Sequence, residues 1–97
     1  MNTYAIFRRG GWPSAQELQA AAARSKQVGD DMSNDIRWIR SYVVGEAAGG
    51  VGTVCIYQAS SPEAIRRHAR TATLPVDEII EVLDTVILQP DPVTVAS

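Results

Sequence analysis

Two runs dense in β-branched and aromatic residues, Ile36 to Val44 and Thr53 to Ala59, are separated only by the glycine-rich stretch Gly45 to Gly52. So short a link leaves the two runs one way to share a sheet. Parallel neighbours need a crossover of a dozen or more residues, so these strands pair antiparallel, as a hairpin with a long tip. A hairpin in the middle of a small domain needs further elements to cover it, and the sequence supplies a strand and a helix on either side.

Upstream, Tyr4 to Arg8 reads as a strand, and Gly10-Gly11-Trp12-Pro13 as its exit loop, because two glycines and a proline favour a turn. Ser14 followed by Glu17 three residues later matches a capping box, and Ala15 to Ala23 is rich in strong helix formers. Leu18, Ala21, Ala22, Ser25, Val28 and Met32 recur at helical spacing and give this helix a face of small residues. Such a face either approaches its sheet closely or leaves room for a ligand. Downstream, Ser61 reads as an N-cap with Pro62 in the first turn, and the helix runs to about Ala72, before Thr73-Leu74-Pro75. Val76 to Leu88 is rich in Ile and Val and reads as the last strand, with a turn at Asp77. Gln89-Pro90-Asp91-Pro92 closes the folded region, since two prolines cannot continue a ladder.

The expected order is strand, helix, strand, strand, helix, strand. This is the α+β, ferredoxin-like βαββαβ pattern: an antiparallel four-stranded sheet with two helices on one face. One domain over 1–90 and a tail over 91–97 account for all 97 residues. Simple alternation puts Ile36, Trp38, Tyr42 and Val44 on one face of the second strand and Ile39 and Val43 on the other. In the third strand Val54 and Ile56 oppose Cys55 and Tyr57, so both faces of the sheet carry apolar residues. Two helices cover only one face. The other is expected to meet a second copy of the chain, as a homodimer of the dimeric α+β barrel type.

Composition narrows the function. A net charge of −2 argues against a dedicated nucleic-acid partner, and Gly52 to Gln58 lacks the basic-glycine-aromatic pattern of RNA-binding sheets. No apolar run is long enough to cross a membrane, and one cysteine cannot form an internal disulfide, so a cytoplasmic location is expected. Arg37, Arg40, Arg66, Arg67 and Arg70 read either as a group gathered around an anionic ligand or as simply solvated or paired with acids such as Glu63. No phosphate loop, nucleophile elbow or paired-carboxylate motif is present, which favours a binding module over an enzyme and leaves no catalytic residue to name.

The chain resembles a small bacterial nickel-binding-protein family over residues 36 to 90. The resemblance is carried by Trp38-Ile39-Arg40-Ser41-Tyr42, by Cys55-Ile56-Tyr57 followed by Gln58-Ala59, and by Ala64-Ile65-Arg66-Arg67-His68-Ala69 on the Pro62 helix. Leu74-Pro75, Ile79, Glu81-Val82 and Val86-Ile87 before Pro90 extend it. It implies a ferredoxin-like, dimer-forming domain of no established reaction that takes Ni2+ or another divalent transition metal. Trp38, Ser41, Tyr42, Cys55, Tyr57, His68 and Pro75 are the shared positions. Two departures stand out: Ala47-Ala48-Gly49-Gly50 lengthens the hairpin tip, and Thr71-Ala72-Thr73 stands where the family usually shows glycine.

Several residues carry candidate chemistry. His68 and Cys55 are the candidate metal ligands, since a neutral imidazole suits nickel, zinc or copper and a thiolate is a soft donor. The competing readings are a hydrogen-bonded core histidine and a small buried hydrophobe. Trp38, Tyr42 and Tyr57 are the candidate ligand-contacting aromatics, against plain core or dimer packing. Three functions remain open: a metal-binding or sensing homodimer, a dimeric α+β barrel isomerase or oxygenase acting on a small organic molecule, and a structural interaction domain. The second requires an apolar cavity beside Ala21, Ala22 and Ser25.

Overall fold

A computed structural model describes residues 1–92 of the chain. The hairpin forms as its short link requires: β2 (Ile36–Gly45) and β3 (Val51–Ala59) pair antiparallel, from Ile36 opposite Ala59 to Gly45 opposite Val51. Before them come β1 (Asn2–Trp12) and α1 (Ala15–Asp31), and after them α2 (Pro62–Ala72) and β4 (Glu78–Val82). The four strands make one antiparallel sheet in the order β2-β3-β1-β4. This is the ferredoxin-like α+β fold expected from the element order.

Both helices begin where their caps place them. The Ser14 side chain accepts from the Glu17 N–H at 3.3 Å, and Ser61 accepts from the Ala64 N–H at 3.1 Å. Each satisfies one backbone donor that the first helical turn leaves open. At the far end of α2, Arg24 of α1 donates through Nε to the Ala72 carbonyl at 3.1 Å. That bond ties the two helices together and sets a cation at the negative end of the helix dipole.

The core lies between the helices and one face of the sheet. Tyr4 and Ile6 of β1, Ile36 of β2, Cys55, Tyr57 and Ala59 of β3, and Ala64 and Ile65 of α2 are all buried there. Met32, Trp38, Val76 and Ile79 pack against them.

Three details differ from the pattern read in the sequence. The glycines after Arg8 do not end β1. The strand continues to Trp12 through a register irregularity, with Gly10 at φ +54°, a bulge that only a residue without Cβ takes readily. Gly52 faces that bulge, and a Cβ there would run into the Arg8 carbonyl.

The second strand is also irregular. Between Trp38 and Arg40 its register shifts, so Ser41 pairs with Cys55 and Tyr42 with Val54. The extra residue inverts the alternation beyond it. Ser41 joins Trp38 on the helix-covered face, and Tyr42, instead of sharing that face with Trp38, moves to the outer one.

The last strand is shorter than the Ile/Val-rich run suggests and ends at Val82. The following segment runs across the outer face of the sheet, lining a groove with Thr3, Arg37, Ile56 and Gln58. It reaches the far edge at Asp91, which accepts from Tyr42 Oη at 3.0 Å and pairs with Arg40 at 3.5 Å. Of the tail expected over 91–97, residues 93–97 lie outside the described residues. Among the described residues no helix is long and apolar enough to cross a membrane.

Candidate functional site

Between α1 and the sheet the small-residue face leaves space. A partly open cavity of about 130 Å3 lies beside Ala21, Ala22 and Ser25, where close helix-to-sheet packing would have closed it. Trp12, Leu18, Trp38, Val43 and Leu74 supply apolar wall, and Arg8, Ser41, Thr53, Cys55 and Tyr57 complete it. A cavity of roughly 150 Å3 is enough to admit a single aromatic ring in an engineered core.

One wall is a directed hydrogen-bond chain. Trp38 Nε1 donates to Ser41 Oγ at 2.8 Å, Ser41 Oγ donates to Cys55 Sγ at 3.0 Å, and Cys55 Sγ donates to Thr53 Oγ1 at 3.3 Å. The indole nitrogen is donor only, so it sets the direction of the chain, and the Cys55 proton is committed to Thr53. Cys55, a free thiol 4% exposed, is thereby a satisfied member of the wall.

Behind that wall lies a second buried polar group. Trp38 stacks on Tyr57 with ring centroids 6.0 Å apart, and Tyr57 meets His68 of α2 edge-on at 5.6 Å. Tyr57 Oη and Ser25 Oγ are 3.1 Å apart, and His68 Nε2 lies 2.9 Å from the Ser25 carbonyl oxygen. A carbonyl only accepts, so Nε2 carries the proton and Nδ1 is the bare nitrogen. Nδ1 is buried and has no partner among the described residues. Burial pushes the His68 pKa down; the bond to Ser25 opposes this and the Arg8 charge adds to it. Burial likewise pushes the Tyr57 hydroxyl up, partly offset by Ser25 and Arg8.

Arg8 was not legible as a site residue, although one signal was present. It continues the alternation of Tyr4 and Ile6, which places it on the covered face. It is 1% exposed, donates from Nη1 to the Pro75 carbonyl at 2.8 Å, and leaves Nη2 without a hydrogen-bond partner among the described residues. Among the described residues its guanidinium has no carboxylate within ion-pair distance, whereas Arg9, Arg40, Arg67 and Arg70 each have one.

The candidate residues are therefore sorted by the fold. Trp38, Tyr57 and Cys55 come together at the cavity, and His68 sits behind Tyr57. Tyr42 lies on the outer face. Among the described residues no three His, Cys, Asp or Glu side chains gather as a metal ion would require. The described residues of one chain do not offer a closed nickel site: His68 has a bare nitrogen but is wholly buried, and the Cys55 proton is already donated.

The crystal structure of SCO4226 from Streptomyces coelicolor A3(2) has the same fold, with a TM-score of 0.69 at 22% identity over 87% of this chain and 99% of that one. No curated protein matches the chain. A family profile described as "Nickel responsive protein SCO4226-like" matches residues 4–82, from the third residue of β1 to the end of β4. With most of the domain matched, the chain belongs to the SCO4226-like family of nickel-responsive proteins.

Proposed function

We propose that this chain is a binding or sensing module rather than an enzyme, that it works as a homodimer, and that its ligand-holding element is the cavity beside α1. The observation that carries this reading is the cavity itself, an apolar space of about 130 Å3 kept open by Ala21 and Ala22. A module that only packs would gain stability by filling it, at roughly 24 cal/mol for each Å3. The test is calorimetric titration of the protein with benzyl alcohol and with benzoate, single-ring probes that suit the volume. Saturable binding of either one, abolished by Ala22→Phe with the fold intact, is the expected result. Binding of neither removes the reading.

Nickel is the second reading, favoured by the family description. Because one chain gathers no ligand set among the described residues, the ion would draw donors from both subunits of a dimer. Saturable titration of tag-free, chelator-stripped protein with Ni2+ and then Zn2+, at a fixed ratio per dimer, supports it. Heat no greater than that of buffer removes it. Loss of affinity in His68→Ala would make His68 a ligand, and unchanged affinity would exclude it. The single cysteine is a buried free thiol, which suits a reducing compartment such as the cytoplasm.

A further inference from the structure

We propose that the cavity beside α1 is a site for a small organic anion, a carboxylate on a compact apolar body, with Arg8 as the group that binds the charge. The inference rests on the reading of the cavity as a ligand site and names the chemical class of the ligand.

The argument starts from an imbalance of charge. A guanidinium keeps its positive charge in proteins and carries five N–H donors, and burying it is costly unless carboxylates or hydrogen bonds compensate. Arg8 is 1% exposed, yet the only hydrogen bond of its side chain among the described residues goes to the Pro75 carbonyl, at 2.8 Å. Nη2 makes no well-formed hydrogen bond among the described residues, although the guanidinium lies close enough to the Tyr57 hydroxyl to influence it. The surrounding groups relieve the charge only in part: Arg8 favours the ionised form of the Tyr57 hydroxyl, but that hydroxyl stays neutral because burial pushes its pKa up. Tyr57 and Ser25 engage each other at 3.1 Å, and the Nε2 proton of His68 goes to the Ser25 carbonyl. No Asp or Glu among the described residues comes close enough to pair with it, although the neighbouring Arg9 has Glu46 at 3.2 Å. The fold therefore holds a buried cation with an open valence in the wall of a cavity that is otherwise chiefly apolar.

A ligand with one negative group and a small apolar body would meet both conditions. Its carboxylate would take the open N–H of Arg8 once the guanidinium shifts toward the cavity, since Nη2 is buried in the wall, and would do so in the geometry that makes arginine the preferred carboxylate partner. Its body would lie against Trp12, Leu18, Ala22 and Leu74. A charge-assisted bond in a water-poor site contributes enough to separate an anion from its neutral analogue by about tenfold or more.

The experiment compares benzoate with benzyl alcohol, which share the ring and differ in charge, by calorimetry on the wild-type protein and on Arg8→Met. Benzoate binding about tenfold or more tighter than benzyl alcohol, with the difference lost in Arg8→Met, is the expected result. Equal affinities in the wild type overturn the anion assignment and leave the cavity standing as a ligand site. Binding of neither probe overturns both. If Arg8→Met does not fold, Arg8→Lys, which keeps the charge but loses the planar fork, replaces it. A preference for benzoate that the lysine variant weakens supports the assignment, and one that it leaves untouched overturns it. Inorganic sulfate serves as a third probe: displacement of benzoate by sulfate at equal concentration would make the site one for any anion and remove the organic body from the proposal.

Discussion

His68 is the clearest case of a side chain whose burial has a measurable consequence. Its ring is wholly buried, holds the Ser25 carbonyl through Nε2, and has its pKa lowered, first by loss of water around the ring and further by the Arg8 charge. In the unfolded chain the same group titrates near its ordinary value of about 6.5. Between the lowered value and 6.5 the unfolded chain binds more protons, so acid favours unfolding there. The contribution is complete above about pH 6.5 and is lost as pH falls through the lowered value. Urea unfolding followed from pH 7.5 to 5.5 should show the midpoint declining in the wild type and holding nearly level in His68→Gln, whose amide can still donate to Ser25. An equal decline in both proteins would assign the pH dependence to the carboxylates instead. In the sequence, the spacing of His68 from Ile65, Ala69 and Ala72 puts it on or beside the apolar stripe of α2, and the structure buries it. The spacing did not show the Ser25 partner, since that contact joins two helices distant in the chain. Arg8 was missed for a different reason: a charged residue at a strand end is ordinarily solvated, and what holds this one under cover, the Pro75 carbonyl, is distant in the chain.

Among the elements, the end of α2 carries a strain that its sequence makes visible. Thr73 closes the helix at φ 57° and ψ 56°, the left-handed region, and its N–H is bonded to the Arg70 carbonyl. Glycine adopts that conformation freely, whereas a β-branched residue pays for it. The resemblance of this segment to a family that usually has glycine nearby now has a physical reason. Thr73→Gly should raise stability by about 0.5 to 1 kcal/mol in chemical unfolding, the ordinary gain when a left-handed cap receives its preferred residue, less the entropy that glycine adds to the unfolded chain. A loss of stability would mean that the threonine makes compensating contacts. Both helices and the central hairpin were legible because caps and periodicity are local signals. The two register irregularities were not. Each depends on how a strand fits its neighbour, and the one after Trp38 reverses the facing of Tyr42, separating it from Trp38 and Tyr57.

For the molecule as a whole, the unresolved balance is on the outer face of the sheet. The helices cover the other side, and the segment after β4 crosses this one without burying its own apolar groups: Leu83, Val86, Ile87 and Leu88 are 88%, 84%, 71% and 91% exposed. Ile80 and Tyr42 on the sheet beneath are also open, at 44% and 42%. A monomer rarely keeps so much contiguous apolar surface in water, and a second copy of the chain, laid face to face, would cover both the sheet and the crossing segment. Sedimentation equilibrium of the wild type should therefore give a dimer in the micromolar range. Ile80→Asp places a charge on the β4 edge of that face, opposite Ala5, while leaving the helix-covered core untouched, so it should weaken the dimer about tenfold or more and preserve the circular dichroism of the fold. Leu88→Asp reads the crossing segment separately: weakening similar to that of Ile80→Asp means that the segment is part of the interface, and no effect means that the sheet alone makes it. A wild type that sediments as a monomer at every concentration would remove the homodimer, and with it the nickel site shared between subunits, but would leave the Arg8 cavity, which lies wholly within one chain, to be judged by its own titrations.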